Sequence, residues 1–495
     1  MAEVVRASYY HPRVLVIGID LGTQSCKAVV CDDQLVVRGH HASGYPTSHP
    51  FPDHAEQDPC AWELALGAAV AGALAAAGAH ADDVAAIAIA GQLDGCVAID
   101  ANCRPLHRAL IWQDRRATSQ IARAATIDVF SRTGQVSDPS HMAPKLCWLR
   151  DHGVAAARFH QPVTYLVERL TGAAVIDPAL ASTTMLLELA TACWDRELLD
   201  AFAVAADQLP AIRPACAIAG ELTTDAARLV GLRAGTPVAV GTGDDFASPL
   251  GAGVVAPGPI VCTIGTAEVV GTLSAALVLD RHAEPMVETH AYPAGGFFIE
   301  NPGWLSGGAV RWAVALLGLS SAAELDALAA AAPPGAAGVT FIPSLAGAMT
   351  PVWRPHARGT LHGLAAGHGR SHIARAILEG LAFACRDVVE RLAALGLTTD
   401  RVVLLGGGAR SAVWSQLRAD ALGITQQIAA NPDTCSIGAA MIAAVAVAIH
   451  RDLVTAAGVV PRAVDGYSPR ERLDEPYQRY RRLVAQLAPL AATPW

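Results

Sequence analysis

Two aspartate-bearing turns set the chemistry this chain can offer. The first lies in "GIDLGTQSCK", residues 18–27, where an apolar run ends in Asp20, a Gly22-Thr23 turn, Gln24 and Lys27. The second lies in "GTGDDFASPLGAG", where Asp244 and Asp245 follow the run "PVAV". Another Gly-Thr pair, Gly265-Thr266, sits in "GPIVCTIGTAEVVGT", and "RVVLLGGGARS" ends in a loop with Gly407, Gly408 and Ala409. Glycine turns beyond the carboxyl ends of strands let backbone N–H groups approach phosphate oxygens with no Cβ in the way. An acid beside such a turn needs a cation between it and the phosphate, and Mg2+, held by one or two carboxylates plus phosphate oxygens, supplies it. Asp20 is the candidate; a turn-capping aspartate is the plainer alternative. Asp244 and Asp245 could likewise cap a helix. Opposite a γ-phosphate, however, such a carboxylate takes the proton of an attacking hydroxyl while metal and backbone donors stabilise the transferring group. Together these are the parts of phosphoryl transfer. The loop at 406–411 suits a nucleotide's base and sugar, or simply close helix-to-strand packing.

These residues need a scaffold of strands and helices. The runs "RVLVIGID", "KAVVCD" and "LVVRGHHAS" predict three strands in a meander, turning at "GTQS" and "DDQ". Asp58 and Pro59 stand where the N-cap and first turn of a helix over about 58–79 belong, and "VAAIAIAGQ" predicts a strand ending at Gly91. The two Gly-Thr hairpins stand about half a chain apart. That spacing predicts an α/β fold of two related halves facing one another across a cleft.

Composition narrows the partners. A chain of 495 residues, 52% hydrophobic and 16% charged, holds at least two domains. A net charge of −9, from 45 acidic and 36 basic residues, argues against a sequence-independent grip on nucleic acid or an anionic membrane. Small solutes are the expected ligands. Eleven cysteines without a CxxC pair suggest neither a zinc site nor a disulfide scaffold, which fits a cytoplasmic protein. The opening "MAEVVRASYYH" carries Glu3 and Arg6 and lacks the apolar stretch of a signal peptide. The longest apolar stretches, 66–79 and 437–449, fall short of the roughly 18–20 residues of a membrane span and read as buried alanine-rich helices.

Six segments in order resemble the FGGY carbohydrate kinases, and within that family the xylulokinases. They are "GIDLGTQSCK", "HAEQDPCAW" at 54–62, "GQLDG" at 91–95, "IWQDRR" at 111–116, "GTGDDFASPLGAGV", and "GTLHGLAAGHGRSHIARAILEGLAF" at 359–383. The resemblance runs from about Val14 to the closing "YQRYRRL". It implies two actin-like, RNase H-type domains, at 13–255 for the sugar and 256–487 for ATP, with an interdomain catalytic cleft. It implies Asp244 as general base and Asp20 with Asp244 as the magnesium side. Gly22, Thr23, Gln24, Lys27, Gly265 and Thr266 then face the phosphates, with Gly407, Gly408 and Ala409 on the adenine side. Gln92, Leu93, Asp94 and Asp245 fall to the sugar, and Asp114 joins them because "IWQD" reads as the end of another strand on the same side. The implied reaction is ATP-dependent phosphorylation of a ketopentose, D-xylulose to D-xylulose 5-phosphate, with a homodimer as the oligomer the family suggests.

Two positions depart from the xylulokinase pattern. Asp94 replaces a histidine and Asp245 an asparagine, and an ionised aspartate cannot donate a hydrogen bond to a ketose carbonyl. Another pentulose or a polyol such as a pentitol, tetritol or glycerol suits acceptors of this kind. Phe246 narrows the pocket, and His141, His362 and His372 read as structural or surface groups. A kinase fold that has become an inactive binding protein is the alternative of another class.

Overall fold

The computed structural model describes residues 14–490; residue 13, the expected start of the first domain, and the opening segment lie outside them. Leu15–Leu21 (β1) and Ser25–Cys31 (β2) pair antiparallel about the Gly22-Thr23 turn, and Val37–Gly44 (β3) adds to β2. Pro59–Ala77 (α1) starts where the sequence places it: the Asp58 side chain accepts the Cys60 N–H, and Gly78 ends the helix at φ +57°. Val84–Gly91 (β4) then returns parallel to β1. Met142–Asp151 (α2) comes next, then Ile218–Glu221 (β5), Pro237–Ala239 (β6), Thr242–Gly243 (β7) and Asp244–Gly251 (α3). The first sheet runs β5-β6-β4-β1-β2-β3, with β7 also on β4.

Ile260–Ile264 (β8) and Ala267–Ser274 (β9) repeat the opening hairpin about Gly265-Thr266. Glu288–Ala291 (β10) and Phe297–Leu305 (β11) follow; beyond the long helix Arg370–Ala394 (α4), Arg401–Leu405 (β12) lies parallel to β8. Ala412–Leu422 (α5), Thr425–Ile428 (β13), Thr434–Ala446 (α6) and Val464–Tyr467 (β14) complete this half. Its sheet runs β10-β11-β9-β8-β12-β13-β14. Strands β3-β2-β1-β4-β6-β5 and β11-β9-β8-β12-β13-β14 correspond one to one in order and direction. Strand β10 has no counterpart. The two halves thus share strand order and direction, differing in that β5 precedes β6 in the chain while β14 follows β13, and form the duplicated α/β architecture that the sequence predicts.

Helices α3 and α6 occupy equivalent places in the two halves and pack on each other. Their contact is close enough to demand glycine on both: a Cβ on Gly251 would stand 1.8 Å from the Thr434 carbonyl, and one on Gly438 2.0 Å from that of Ala247. Helix α6 also covers β1 and β4, so the second half supplies part of the core beneath the first sheet. Helix α1 is longer than its apolar stretch suggests. At 19 residues it is long and apolar enough to cross a membrane by length and composition, yet Trp62, Leu66, Ala69, Val70 and Ala73 bury one face in the core, beside β2 and β3. Glu63 interrupts the apolar run in sequence but not the helix, because Arg169 and the Tyr165 hydroxyl hold its carboxylate at 3.0 and 2.6 Å.

Candidate active site

Three adjacent parallel strands of the first sheet end level with one another. Leu21 of β1 pairs with Gly91 of β4, and Gly91 pairs with Gly243 of β7. Asp20, the segment Gln92-Leu93-Asp94 and the pair Asp244-Asp245 therefore converge at one edge, the place where open α/β sheets hold ligands. Asp244 and Asp245 form the first turn of α3 and keep part of their surface open. Burial, then Asp245 and Asp20, hold the Asp244 carboxyl well above the usual range. Burial and then Asp94 push Asp245 up to about 7. The Lys27 ammonium lies 2.9 Å from the Asp20 carboxylate, which holds the lysine above its ordinary value.

A buried glutamine ties the first hairpin to this edge. Gln57 donates to the Thr23 carbonyl at 2.6 Å and to Thr47 Oγ1 at 2.7 Å, and accepts from Trp62 Nε1 at 3.0 Å and Gln92 Nε2 at 2.8 Å. Both its donors and its acceptor oxygen are used. Trp112 Nε1 donates to Thr23 Oγ1 at 2.9 Å, and the Tyr45 hydroxyl to the Gly22 carbonyl. Gln24 is exposed beside them. Gln57 lies in the "EQDP" segment and Trp112 in "IWQDRR", so the signal was in the sequence although neither was singled out.

Asp94 adopts φ +60°, a left-handed conformation that aspartate tolerates better than most non-glycine residues. Its N–H donates to Gln161 Oε1 at 2.9 Å, and its carbonyl accepts from the Lys145 ammonium at 2.9 Å. Lys145, fully buried on α2, also donates to the carbonyls of Ile111 and Ser140, so one cation binds three loops together; burial pushes it down to about 8. His141, which sequence reasoning set aside as structural, lies with Nδ1 3.1 Å from Asp94 Oδ1. Asp114 is where the structure departs most from expectation. The residues before it form a two-residue strand, Ala109–Leu110, against Glu56–Gln57, outside the main sheet. Its carboxylate is fully buried and engaged, accepting the Ala55 N–H at 2.7 Å and the Arg116 guanidinium at 2.7–3.0 Å. It braces that loop and offers no free acceptor to a sugar.

In the second half, Gly265 is exposed, and its carbonyl accepts the Gly307 N–H at 3.1 Å. Thr266 Oγ1 accepts from Arg311 at 3.1 Å. In the third loop Gly407 is open to its surroundings, whereas a Cβ on Gly408 would stand 2.2 Å from the Ile264 side chain, and Ala409 is buried. Close packing therefore accounts for Gly408, and space for a ligand lies on the Gly407 side.

Asp177 supports the edge from below, and its titration is measurable. It caps Pro178–Ala181 by accepting the Ala179 and Leu180 N–H groups, and accepts the Thr242 hydroxyl at 3.0 Å. Burial pushes it up to about 7, against 3.8 ordinarily. Between those values the native state holds a proton that the unfolded chain has lost, so stability falls as pH rises through that window. Asp177→Asn does not titrate there. Its unfolding free energy relative to the parent should rise from pH 5 to pH 8 by up to about 2–3 kcal/mol, at about 1.4 kcal/mol per unit; a pH-independent difference in denaturant midpoints would refute this.

A repeated actin-like topology, with carboxylates at three neighbouring strand ends and a Gly-Thr hairpin in each half, defines a sugar phosphotransferase. The chain belongs to the FGGY family of carbohydrate kinases: residues 15–251 match the family's N-terminal domain and 260–447 its C-terminal domain. It is 32% identical to the xylulose kinase of Escherichia coli (strain K12) over 96% of this chain and 100% of that protein. It is also 34% identical to the glycerol kinase of Gloeobacter violaceus, over 86% of this chain and 87% of that one. The crystal structure of a xyloylose kinase from Brucella ovis is similar at a TM-score of 0.88 and 29% identity, over 96% and 100% of the two chains. The expected fold and enzyme class are borne out, and ATP is the family's phosphoryl donor.

Proposed function

We propose that this enzyme transfers the γ-phosphate of ATP to a terminal hydroxyl of a ketopentose, D-xylulose yielding D-xylulose 5-phosphate, or of a related pentulose or polyol. The convergence of Asp20, Asp94, Asp244 and Asp245 at three adjacent strand ends carries this reading. Asp244 accepts the proton of the attacking hydroxyl. Gln92, Leu93, Asp94 and Asp245 face the sugar. The turns Gly22-Thr23-Gln24 and Gly265-Thr266 face the phosphates, and Gly407 the adenine side. Asp20 and Asp244 suit Mg2+ by the chemistry of their hard oxygens: Asp20 disfavours a charge on Asp244, a repulsion that a dication relieves. When bound, the ion neutralises charge on the phosphate oxygens. Residues 13–255 and 256–487 are the two bodies that close, excluding water from the reacting groups. Eleven free thiols support a reducing, cytoplasmic setting.

A coupled ATP-consumption assay over pentuloses, pentitols, tetritols and glycerol tests this. One member should drive sugar-dependent turnover; a flat response to every member would end the kinase reading. Since relatives include both xylulose and glycerol kinases, position 94 is the place to probe preference. Asp94→His supplies a ring N–H that an ionised aspartate lacks, and should raise kcat/KM for D-xylulose over a pentitol at least ~10-fold. An unchanged ratio would remove Asp94 as a specificity determinant.

A further inference from the structure

The second half reaches toward the proposed sugar site through the outer pair of its sheet, β10 and β11. Strand β10, an edge strand without a counterpart in the first sheet, carries Glu288 and His290, and Glu300 of β11 lies directly opposite Glu288. All three are buried. They continue the Asp94 to His141 pair across the two halves. His141 Nε2 lies 3.7 Å from Glu288 Oε1; His290 Nε2 lies 3.9 Å from Glu288 Oε2 and 3.5 Å from Glu300 Oε1. Glu288 Oε1 also accepts the Val136 N–H at 2.8 Å, and the Phe246 ring packs 5.6 Å from that of His290.

One atom in this wall has no partner. Glu300 Oε2 is buried without a hydrogen bond, although the residue lies within electrostatic reach of Asp94, Asp244, Asp245 and Glu288. A buried carboxyl oxygen left unpaired costs the native state until a donor arrives. The surrounding Asp94, Asp244, Asp245 and Glu288 are acids, and His290 lies against the other oxygen, Oε1, so the donor for Oε2 comes with the ligand. Substrate hydroxyls, which both donate and accept, supply one; a substrate carboxylate brings no donor and adds a further negative charge to a wall of carboxyl groups. Resting on the sugar-kinase reading, we propose that Glu300 takes a hydroxyl of the bound sugar, that Glu288 and His290 position it, and that the completed site accepts neutral polyhydroxylated chains and excludes their acids.

The test uses the full-length enzyme, a neutral substrate from the panel and the C1 acid of the same chain length. The parent should turn over the neutral compound with at least ~10²-fold higher kcat/KM than the acid. Glu300→Leu should raise the KM for the neutral sugar ~10–10²-fold while the KM for ATP stays within about twofold. Should that variant not fold, Glu300→Gln carries the test, since an amide offers one acceptor oxygen instead of two; its sugar KM should rise at least ~threefold, again selectively. Unaltered sugar KM in the foldable variants, or an acid used as well as the neutral sugar, defeats the proposal. Calorimetric sugar binding separates the two readings. Sugars that bind the parent and are not phosphorylated sink the kinase assignment alone, whereas phosphorylation with unchanged sugar KM sinks only the role of Glu300.

Discussion

Asp244→Asn should lower kcat at least ~10²-fold while ATP binding, measured by calorimetry, stays within about threefold. The substitution keeps the shape and the first-turn position at the start of α3. It removes the one property proton abstraction needs, an ionisable oxygen facing the incoming hydroxyl, and a positioned base contributes on the order of 10²–10⁴-fold. The nucleotide's contacts are proposed for other segments, the Gly-Thr hairpins and the Gly407 loop, so binding should survive. Stability separates catalysis from damage. Asp20 and Asp245 both disfavour a negative charge at this position, so a neutral amide relieves repulsion and the variant should unfold no earlier than the parent. Parent-like turnover would remove Asp244 as base, and lost turnover with an early unfolding midpoint would reassign it to structure.

The sequence made local arrangements legible and left distant ones hidden. A hairpin at Gly22-Thr23, its repeat at Gly265-Thr266 and the helix opening at Asp58-Pro59 each follow from residues within a turn of one another, because turn geometry and capping act over that range. Asp20, Asp94 and Asp244 were legible for the same reason: each closes or follows an apolar strand. The rest depends on contacts between remote segments. Nothing near residue 437 announces that α6 covers β1 and β4. Asp114 looked free because the Ala55 N–H reaches it from 59 residues away, while Arg116, two residues on, is a local partner that the sequence did offer. His141, Lys145 and Glu300 carry no motif. Their surroundings come from three loops and from an edge strand in the other half.

Arg418→Met should destabilise the second half by about 3–5 kcal/mol, and adding Glu268→Gln should return most of that loss. Arg418 on α5 and Glu268 on β9 are both wholly buried and joined through the two terminal guanidinium nitrogens, Nη1 to Oε2 at 3.1 Å. The Ser306 hydroxyl donates to Glu268 at 2.7 Å, and the guanidinium lies 5.6 Å from the Trp414 ring. Removing the cation alone strands a carboxylate in the core, the costly case; neutralising both leaves a well-packed site, so the pair itself adds little net stability. Cys262, Glu268 and Cys385 are the one group among the described residues close enough together to hold a metal, but Arg418 and Ser306 already occupy the Glu268 oxygens. The consequence for function follows from position. Glu268 stands three residues beyond Gly265, and the Ser306 and Gly308 N–H groups both donate to the Thr266 carbonyl at 3.0 Å. Loss of the brace should therefore loosen the second Gly-Thr hairpin, raising the KM for ATP several-fold and leaving the KM for sugar unchanged. Denaturant unfolding of the parent, both single variants and the double variant closes the cycle. A double variant as unstable as Arg418→Met would show that the guanidinium's packing, and not the uncompensated charge, carries the effect.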